Sequence, residues 1–239
     1  MAPTVVLHVW GIHRRHVMRA MLLTALTPLG VRATGRPRFH KALGTGSGQT
    51  FTLRDADWTH WAMLTVWPDA ASASNFDGSW LARAWARRAT EVLRVEMEPL
   101  ASRGSWSRRQ PFTGWSSPAD NHEDHCTAIA AITRARVKVR HWRTFSRAVP
   151  AVSADLHATN GPVFSLGIGE APVGLQGTFS VWRNAADLHE FAYGRTAHRQ
   201  AIKQTHATGW YAEELFARLR VVHCSGTYNG APINFGGRA

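Results

Sequence analysis

The chain has 239 residues, of which 44% are hydrophobic and 18% are charged, a composition typical of a globular protein and not of a disordered one. No run approaches the roughly 18 uncharged apolar residues of a membrane-spanning helix, so the sequence predicts none. Basic residues outnumber acidic ones by 28 to 16, and the net charge of +12 favours anionic partners such as nucleic acid, acidic lipid, phosphate or carboxylate. A compositional bias towards arginine explains that excess equally well.

The first hundred residues alternate between predicted strands and helices. Strands are predicted where β-branched and apolar residues cluster, and helices where apolar residues recur every three or four positions. The apolar run 17–29 follows two arginines but is interrupted by Arg19, which argues against a secretion signal. The predicted elements are a strand at Thr4–Trp10, a helix at His13–Leu26, a glycine turn or bulge at 43–46, a strand at Trp61–Trp67, a helix from Ala70 to Phe76, a helix at Ser79–Glu91 and a strand at Leu93–Met97.

The second half predicts the same elements in the same order. The segment Leu64–Ala71 resembles Phe179–Ala186, and Phe76 then matches Phe191 at the same spacing. Further matches pair Leu43 with Leu166 and Leu93 with Leu219. The predicted elements are a strand at Ala128–Arg140, a helix at Thr144–His157, strands at Val163–Gly167 and Thr178–Trp182, a helix at Ala185–His206 and a strand at Leu219–Val222.

This order predicts an α+β fold in which a ferredoxin-like β-α-β-β-α-β unit occurs twice. Two antiparallel sheets that face each other form a barrel-like arrangement whose interior can hold a ligand. Residues 1–98 form the first half and residues 126–239 the second, and the Arg-, Ser-, Trp- and Pro-rich segment 99–125 is a linker or lid. The barrel closes either within one chain or between two chains.

The last predicted helix carries the best candidate for chemistry. On a helical wheel, Phe191, His198 and Ile202 share a face, and Arg195 lies next to it. A histidine on an apolar face can ligate a metal or haem iron, and an arginine such as Arg195 or Arg199 can pair with haem propionates. A core histidine that is hydrogen-bonded to a backbone carbonyl is the alternative for His198.

His206, two turns later on a similar side, is the second candidate ligand. Its alternative is a histidine that interacts with the dipole at the helix end. Phe179, Trp182 and Phe191 are candidate walls for the same site.

Several other classes of function are disfavoured. Neither half carries the aromatic strand motif of an RNA-recognition sheet, and the basic residues are scattered, so no nucleic-acid partner is predicted. The sequence has no phosphate loop, nucleophile elbow or dinucleotide fingerprint. The two cysteines, Cys126 and Cys224, form no disulfide framework, which favours reduced thiols and a cytoplasmic location.

Four segments of the sequence form a distinctive set: Leu43–Gly46, Ser102–Ser107 leading to Pro111 and Phe112, Ser165–Pro172, and Ala197–Ile202 followed by Gly209–Arg218. The Gly-Ile-Gly-Glu-Ala-Pro and Trp-Tyr-Ala-Glu-Glu-Leu-Phe-Ala-Arg runs are the most specific parts of the set. Together the four segments resemble the spheroidene monooxygenase family of carotenoid-modifying enzymes.

The resemblance implies a haem-containing enzyme of the dimeric α+β barrel group that oxidises an apolar, carotenoid-like polyene with dioxygen. It favours His198, within its Ala-His-Arg run, as the axial ligand over the core alternative. Two other hypotheses stay open: a haem enzyme of the same fold that dehydrates, rearranges or uses peroxide on a smaller substrate, and a non-enzymatic module that binds apolar ligands. We also expect an electron donor, a homo-oligomer, and peripheral contact with the inner face of a membrane.

Overall fold

The computed structural model describes residues 2–46, 55–112, 127–138, 162–170, 177–194 and 211–234. Within these ranges, eight antiparallel strands close into one barrel in the order β4-β1-β3-β2-β6-β7-β5-β8, and β8 pairs with β4 to complete the ring. The strands are β1 (Thr4–Ile12), β2 (Phe39–Gly46), β3 (Ala56–Trp67), β4 (Ala89–Gly104), β5 (Ile129–Val137), β6 (Phe164–Gly169), β7 (Gly177–Trp182) and β8 (Tyr211–Tyr228), and a short β9 (Ala231–Pro232) pairs with β8.

The helices pack outside the barrel. A 3-10 turn at Arg14–His16 leads into α1 (Val17–Ala33), and α2 (Ala70–Asp77) and α3 (Trp80–Ala86) connect β3 to β4. In the second half, α4 (Ala185–His189) continues into a π-helical turn at Glu190–Gly194. Among the described helices, none is long and apolar enough to cross a lipid bilayer. The duplicated α+β barrel is confirmed, and the barrel closes within a single chain.

The two halves repeat one local structure at the strand-to-helix junction. The Trp67 indole N–H donates to Thr65 Oγ1 at 2.9 Å, and the Trp182 N–H donates to Ser180 Oγ at 2.9 Å. The Trp67 ring lies 5.5 Å from Phe76, and the Trp182 ring lies 5.1 Å from Phe191. The predicted match between the two segments is therefore a match between two folded units.

The helix that follows each junction begins with the same kind of N-cap. The Asp69 side chain accepts a hydrogen bond from the Ser72 N–H at 2.7 Å, and the Asn184 side chain accepts one from the Asp187 N–H at 2.9 Å. Each cap satisfies a backbone donor that the first turn of a helix leaves unpaired.

Strand register corrects two of the four sequence matches. Phe39 pairs with Val66 and Phe164 with Val181, so Phe39 corresponds to Phe164, and Leu43 corresponds to Ile168 instead of Leu166. By the same reasoning, Leu93 corresponds to Leu215 and not to Leu219. Both errors are even-numbered shifts, which leave every side chain on the same face of its strand and so preserve the hydrophobic pattern.

Several predicted boundaries also change. β4 continues through Pro99–Gly104, residues that the sequence predicted to begin a linker, and β8 is far longer than its predicted core at Leu219–Val222. The helix α3 ends at Ala86 and not at Glu91, since β4 begins at Ala89. The glycine turn is part of β2, with a register shift between Gly44 and Thr45. The helix predicted at 144–157 lies outside the described residues.

Apolar side chains from both halves fill the barrel interior. This packing forms a core in place of the ligand space that we expected there. The buried interior residues include Val5, Leu7, Val9, Leu64, Leu93, Val95, Met97, Trp106, Ile132, Phe164, Leu166, Phe179, Val181, Leu215 and Leu219.

Candidate functional site

Most of the residues predicted to hold haem lie outside the described residues: Arg195, His198, Arg199, Ile202 and His206. Phe191 is described and packs against Trp182 in the π-helical turn. A π turn closes with i→i+5 hydrogen bonds, so it shifts the phase of every residue that follows it on a helical wheel. The helical wheel that places Phe191 and His198 on one face therefore does not apply across Glu190–Gly194.

The predicted walls divide between the two faces of β7. Phe179 points into the barrel core, whereas Trp182 lies on the outer face with Leu188 and Phe191. Successive side chains of a strand point to opposite faces, which explains the separation. Phe179 is thus excluded from any site on the outer face, and Trp182 and Phe191 remain together there.

The outer face of the second half is lined by small side chains. On β5, Ala131 and Ala135 are buried, and Thr133 between them is exposed. On β7, Ser180 is buried and Thr178 is partly exposed; these residues pair with Ala131 and Thr133, respectively. This surface offers little side-chain bulk over two neighbouring strands.

The corresponding surface of the first half carries much larger side chains. Val6 and Thr65 pair there as Ala131 and Ser180 do, and His8 and Met63 pair as Thr133 and Thr178 do. Trp10 occupies the place of Ala135. The larger side chains pack with α1–α3 into a second core that includes Val6, Trp10, Trp61, Met63, Trp67, Phe76, Leu81 and Trp85.

This difference allows a test of whether haem suits the second half. A flat apolar macrocycle needs a surface free of large side chains, bordered by apolar or aromatic groups. Ala131, Ala135 and Ser180 carry little bulk on this face, and Trp182 packs against Ala131 there together with Phe191. The residues of the second outer face are therefore compatible with haem, whereas the Trp10 side chain fills the equivalent place in the first half.

An ion-pair cluster that the sequence analysis missed closes one end of the barrel. The Arg134 guanidinium donates to Glu213 Oε2 at 2.6 Å and to Glu170 Oε1 at 2.5 Å, and it stacks 5.4 Å from the Trp106 ring centroid. The Trp106 N–H also donates to Glu170 Oε1 at 2.7 Å, and Lys41 Nζ lies 2.7 Å from Glu170 Oε2.

Both carboxylates of this cluster are held ionised. Burial opposes ionisation of Glu213, but hydrogen bonds from the Arg108 N–H, the Arg134 guanidinium and the Ser105 hydroxyl outweigh it and lower its pKa to about 2. Burial is likewise outweighed at Glu170, where Lys41 and Arg134 lower the pKa. A carboxyl group whose pKa is lowered makes a poor general acid at neutral pH.

Three of the four segments that carry the family resemblance meet at this cluster. Ser105 and Trp106 come from one, Glu170 from a second and Glu213 from a third. Gly104 makes the junction possible: its φ is +96°, and a Cβ there would lie 2.1 Å from the Glu214 carbonyl oxygen. A cavity of about 290 Å³ opens beside the cluster, lined by Ser107, Arg108, Arg134, Arg136, Glu170 and Glu213.

A second missed cluster fastens the end of β8 to the first half. His60 Nδ1 lies 2.6 Å from Asp57 Oδ2, and His60 Nε2 lies 2.9 Å from Glu91 Oε1. Burial opposes a charged imidazole here, but the two carboxylates outweigh it and raise the pKa of His60. Glu91 also accepts hydrogen bonds from the Thr227 hydroxyl and the Gly230 N–H. Both nitrogens of His60 are engaged, so it has no free lone pair for a metal.

A second cavity, of about 340 Å³, lies on the outer side of the first half. Its lining includes Trp10, Val92 and His8, whose Nε2 lies 2.9 Å from Asp77 Oδ1. In the part of the chain that the structure describes, no three His, Cys, Asp or Glu side chains are arranged to hold a metal ion.

Comparison with solved structures supports the architecture. An aldoxime dehydratase shares the fold with a TM-score of 0.55 and 13% identity, over 92% of this chain and 81% of that one. A second aldoxime dehydratase, in complex with butyraldoxime, gives a TM-score of 0.53 and 12% identity, over 92% and 80% of the two chains. At these identities the likeness concerns the fold alone. No model of a known protein family matches the chain.

Comparison of sequences gives a closer relationship. The chain is 34% identical to the spheroidene monooxygenase of Cereibacter sphaeroides over 84% of its own length and 61% of that protein. It is 33% identical to the Rhodobacter capsulatus spheroidene monooxygenase over 82% of its length and 80% of that protein. A third, from Rubrivivax gelatinosus, is 33% identical over 83% of this chain and 75% of the relative. The chain therefore belongs to the spheroidene monooxygenase family.

Proposed function

We propose that the protein is a haem-dependent monooxygenase that oxidises an apolar, carotenoid-like substrate with dioxygen. Family membership supports the reaction and the class of substrate. The observation that supports haem as the cofactor is the outer face of the second half, where small residues stand at the positions of the large ones of the first half. Haem, when bound, would supply the activation of dioxygen that amino-acid side chains cannot provide.

His198 is our proposed axial ligand, with His206 as the second candidate. A neutral imidazole donates a ring nitrogen to iron, and its other N–H is usually held by a carbonyl or a carboxylate. Arg195 and Arg199 would pair with the propionates, and Ile202 would contact the macrocycle. These residues, with the described Phe191, belong to residues 126–239, which we propose as the haem-carrying half.

The described residues would shape the site around the cofactor. Ala131, Ala135 and Ser180 leave room on the sheet, and Trp182 with Phe191 provides an apolar border that excludes water. A polyene has no charge to bind, so shape and apolar contact would determine specificity.

Two partners follow from this proposal. Monooxygenation places one oxygen atom in the substrate and reduces the other to water, so an electron donor must supply two electrons. An apolar polyene partitions into lipid, so we propose that the enzyme meets it at a membrane surface. We also propose that the protein forms a homo-oligomer, as related barrels associate.

The cofactor proposal is tested by the visible spectrum of protein expressed with ample haem. We expect a Soret band from the wild type and its loss in His198→Ala, while His206→Ala retains it and both variants keep the far-ultraviolet circular dichroism of the folded chain. A Soret band unchanged in His198→Ala and lost in His206→Ala would transfer the ligand to His206. A wild type that binds no haem would contradict the proposal.

The reaction is tested separately with labelled dioxygen. Purified protein, a reductant and a linear carotene are incubated under ¹⁸O₂, and the product is analysed by mass spectrometry. One ¹⁸O atom in each newly oxidised position is the expected result. An unlabelled product would mean that the oxygen comes from water or peroxide, and the monooxygenase assignment would fall while the haem assignment stood.

A further inference from the structure

Helix α1 presents an apolar stripe to solvent. Met18 is 75% exposed, Leu22 is 58% exposed and Leu29 is 61% exposed, and Ala25 between them is also exposed. Their spacing of four, three and four residues places them along one side of the helix. The opposite side, including Ala20, Gly30 and Val31, is buried against the barrel and α3. Such a stripe is unusual, because the solvent face of a surface helix normally carries polar residues.

A partly exposed tryptophan of α3 lies beside α1. Trp80 is 44% exposed, and a Cβ built on Gly30 would lie 3.0 Å from its ring, so the two helices touch at that point. We call Met18, Leu22, Ala25, Leu29 and Trp80 the α1 patch. Tryptophan is enriched where proteins meet the interface between water and lipid, since its ring is apolar and its N–H is polar.

Positive charge surrounds the α1 patch. Arg15 and Arg19 are exposed at the start of the helix, and Arg32 is exposed near its end. Arg83 and Arg87 are exposed on and just after α3. Residues 1–54 of the sequence contain no aspartate or glutamate. Part of the protein's excess positive charge therefore lies around an apolar surface.

The start of α1 and the end of α3 share one electrostatic environment. Partial desolvation and the charges of Arg15, Arg19, His13 and Arg88 all lower the pKa of His16. Arg88 follows α3, so its influence on His16 shows that this residue is near the start of α1.

We propose that the α1 patch docks onto a bilayer that contains anionic lipid, with α1 lying in the plane of the interface. Apolar side chains would enter the boundary between headgroups and acyl chains, and the arginines would pair with lipid phosphates. A second copy of the chain is a poorer occupant, because it would bring two arginine-rich rims together with no acidic residue from 1–54 to pair with them. A nucleic acid is poorer as well, because it gives the leucines nothing apolar to contact.

This inference rests on the proposed function in one respect: a surface that docks on lipid suits an enzyme whose substrate dissolves in lipid. The surface itself is read from exposure and charge alone. Its test therefore uses vesicles without substrate and needs no haem. Failure to bind vesicles leaves the Soret band of the same preparation as an independent measure of the haem proposal.

The test is sedimentation of the full chain with vesicles of phosphatidylcholine, alone or with a third of phosphatidylglycerol. We expect binding to the anionic vesicles that weakens as salt is raised, because salt screens the arginines. The double variant Leu22→Gln, Leu29→Gln is expected to lose binding by tenfold or more. Arg15→Gln, Arg19→Gln should weaken binding by about fivefold for each arginine removed and reduce the salt dependence.

A matched control changes an exposed apolar residue elsewhere. Val222 on β8 is 53% exposed, and Val222→Gln should leave vesicle binding unchanged. If the double variant does not show the circular dichroism of the wild type, the single variant Leu22→Gln replaces it in the test, and a smaller loss of vesicle binding is expected. Equal binding by the wild type and a folded Leu22→Gln, Leu29→Gln variant would overturn the proposal. So would loss of self-association in that variant, measured by sedimentation velocity, with vesicle binding unchanged: the α1 patch would then join two copies of the chain.

Discussion

The outer faces of the two barrel halves share a backbone and differ in bulk. On the first half, Trp10 and Met63 pack beneath α1–α3 in a continuous aromatic core. On the second, Ala135 and Thr178 occupy the equivalent places. The junction of Trp with Phe is kept in both halves with nearly the same ring distance. The two copies thus share the contacts that hold the helix on the sheet, but the second copy has smaller side chains on its outer face.

The halves also differ in how they are stabilised. The described part of the second outer face has only a small apolar cluster around Trp182, and the second half instead supplies Arg134, Glu170 and Glu213 to the ion-pair cluster at the barrel end. Apolar packing changes little with pH, whereas an ion pair depends on the charge of both partners. The first half should therefore be more sensitive to cavities than the second, and the ion-pair cluster at the barrel end should make the second half sensitive to acid, as the carboxylates around His60 do for the first.

The largest expected effect is a cavity in the first half. Trp10 is 2% exposed and stacks 5.0 Å from Trp85, so Trp10→Ala removes a side chain that its neighbours cannot replace. We expect a loss of about 3–5 kcal/mol in the free energy of unfolding, measured with urea. Trp58→Ala, at a 40% exposed position on β3, is the matched control and should cost much less. Similar losses in both variants would mean that the aromatic core does not stabilise the first half.

Acid should have the next largest effect, and Glu213 is the carboxylate of the second half through which it acts. The pKa of Glu213 is lowered to about 2 from an ordinary value of 4.5, so the stability it contributes is complete above pH 4.5 and lost as pH falls towards 2. Glu213→Gln removes a charged acceptor and should lower the free energy of unfolding by about 1.5–3 kcal/mol at pH 7. Its unfolding free energy should then fall less steeply than that of the wild type between pH 4.5 and pH 2. Parallel pH curves for the two proteins would assign the acid sensitivity to other carboxylates.

The difference in side-chain size between the two outer faces can be tested by introducing a residue of the first face into the second. Ala135→Trp places the side chain of Trp10 on the second half, where we propose that haem lies. Overpacking of this kind costs about 1–3 kcal/mol, so haem affinity should fall by about fivefold to a hundredfold. The affinity is measured by haem titration of protein whose circular dichroism matches the wild type. Ala212→Leu, at an exposed position on β8, is the control that should bind haem normally. Unchanged affinity in Ala135→Trp would place the cofactor elsewhere.

Local patterns in the sequence were sufficient to predict the duplicated fold. Each Trp-Phe junction lies within a dozen residues, and its N-cap and aromatic spacing are visible without tertiary information. β8 was largely missed because Glu213, Glu214 and Leu215 belong to residue types with good helix propensity, and their strand conformation depends on pairing with β4 and β5. The extension of β4 into Pro99–Gly104 depends on the same pairing.

The two ion-pair clusters, around Arg134 and around His60, could not be predicted for a similar reason. Arg134 meets Glu213 across 79 positions of sequence, and His60 meets Glu91 across 31. No periodicity links such residues, and only strand register brings them together. Ser105 and Trp106, Glu170 and Glu213 do lie in segments that carry the family resemblance, the latter two in its most specific runs. That was a signal that these residues matter, but it did not indicate what they contact.

The smallest effect tests whether the retained junctions are energetically equal. Ser180→Ala and Thr65→Val each remove the hydroxyl that accepts the indole N–H of Trp182 or Trp67, and each leaves a buried donor unpaired. We expect each substitution to lower the free energy of unfolding by about 1 kcal/mol, the lower end of the usual cost of leaving a buried donor unpaired. Thr65→Val should cost slightly more, because Thr65 Oγ1 also lies 3.4 Å from the Val6 carbonyl oxygen. A much smaller loss for Ser180→Ala would mean that water reaches the Trp182 N–H, and the second junction would then be solvated in a way that the first is not.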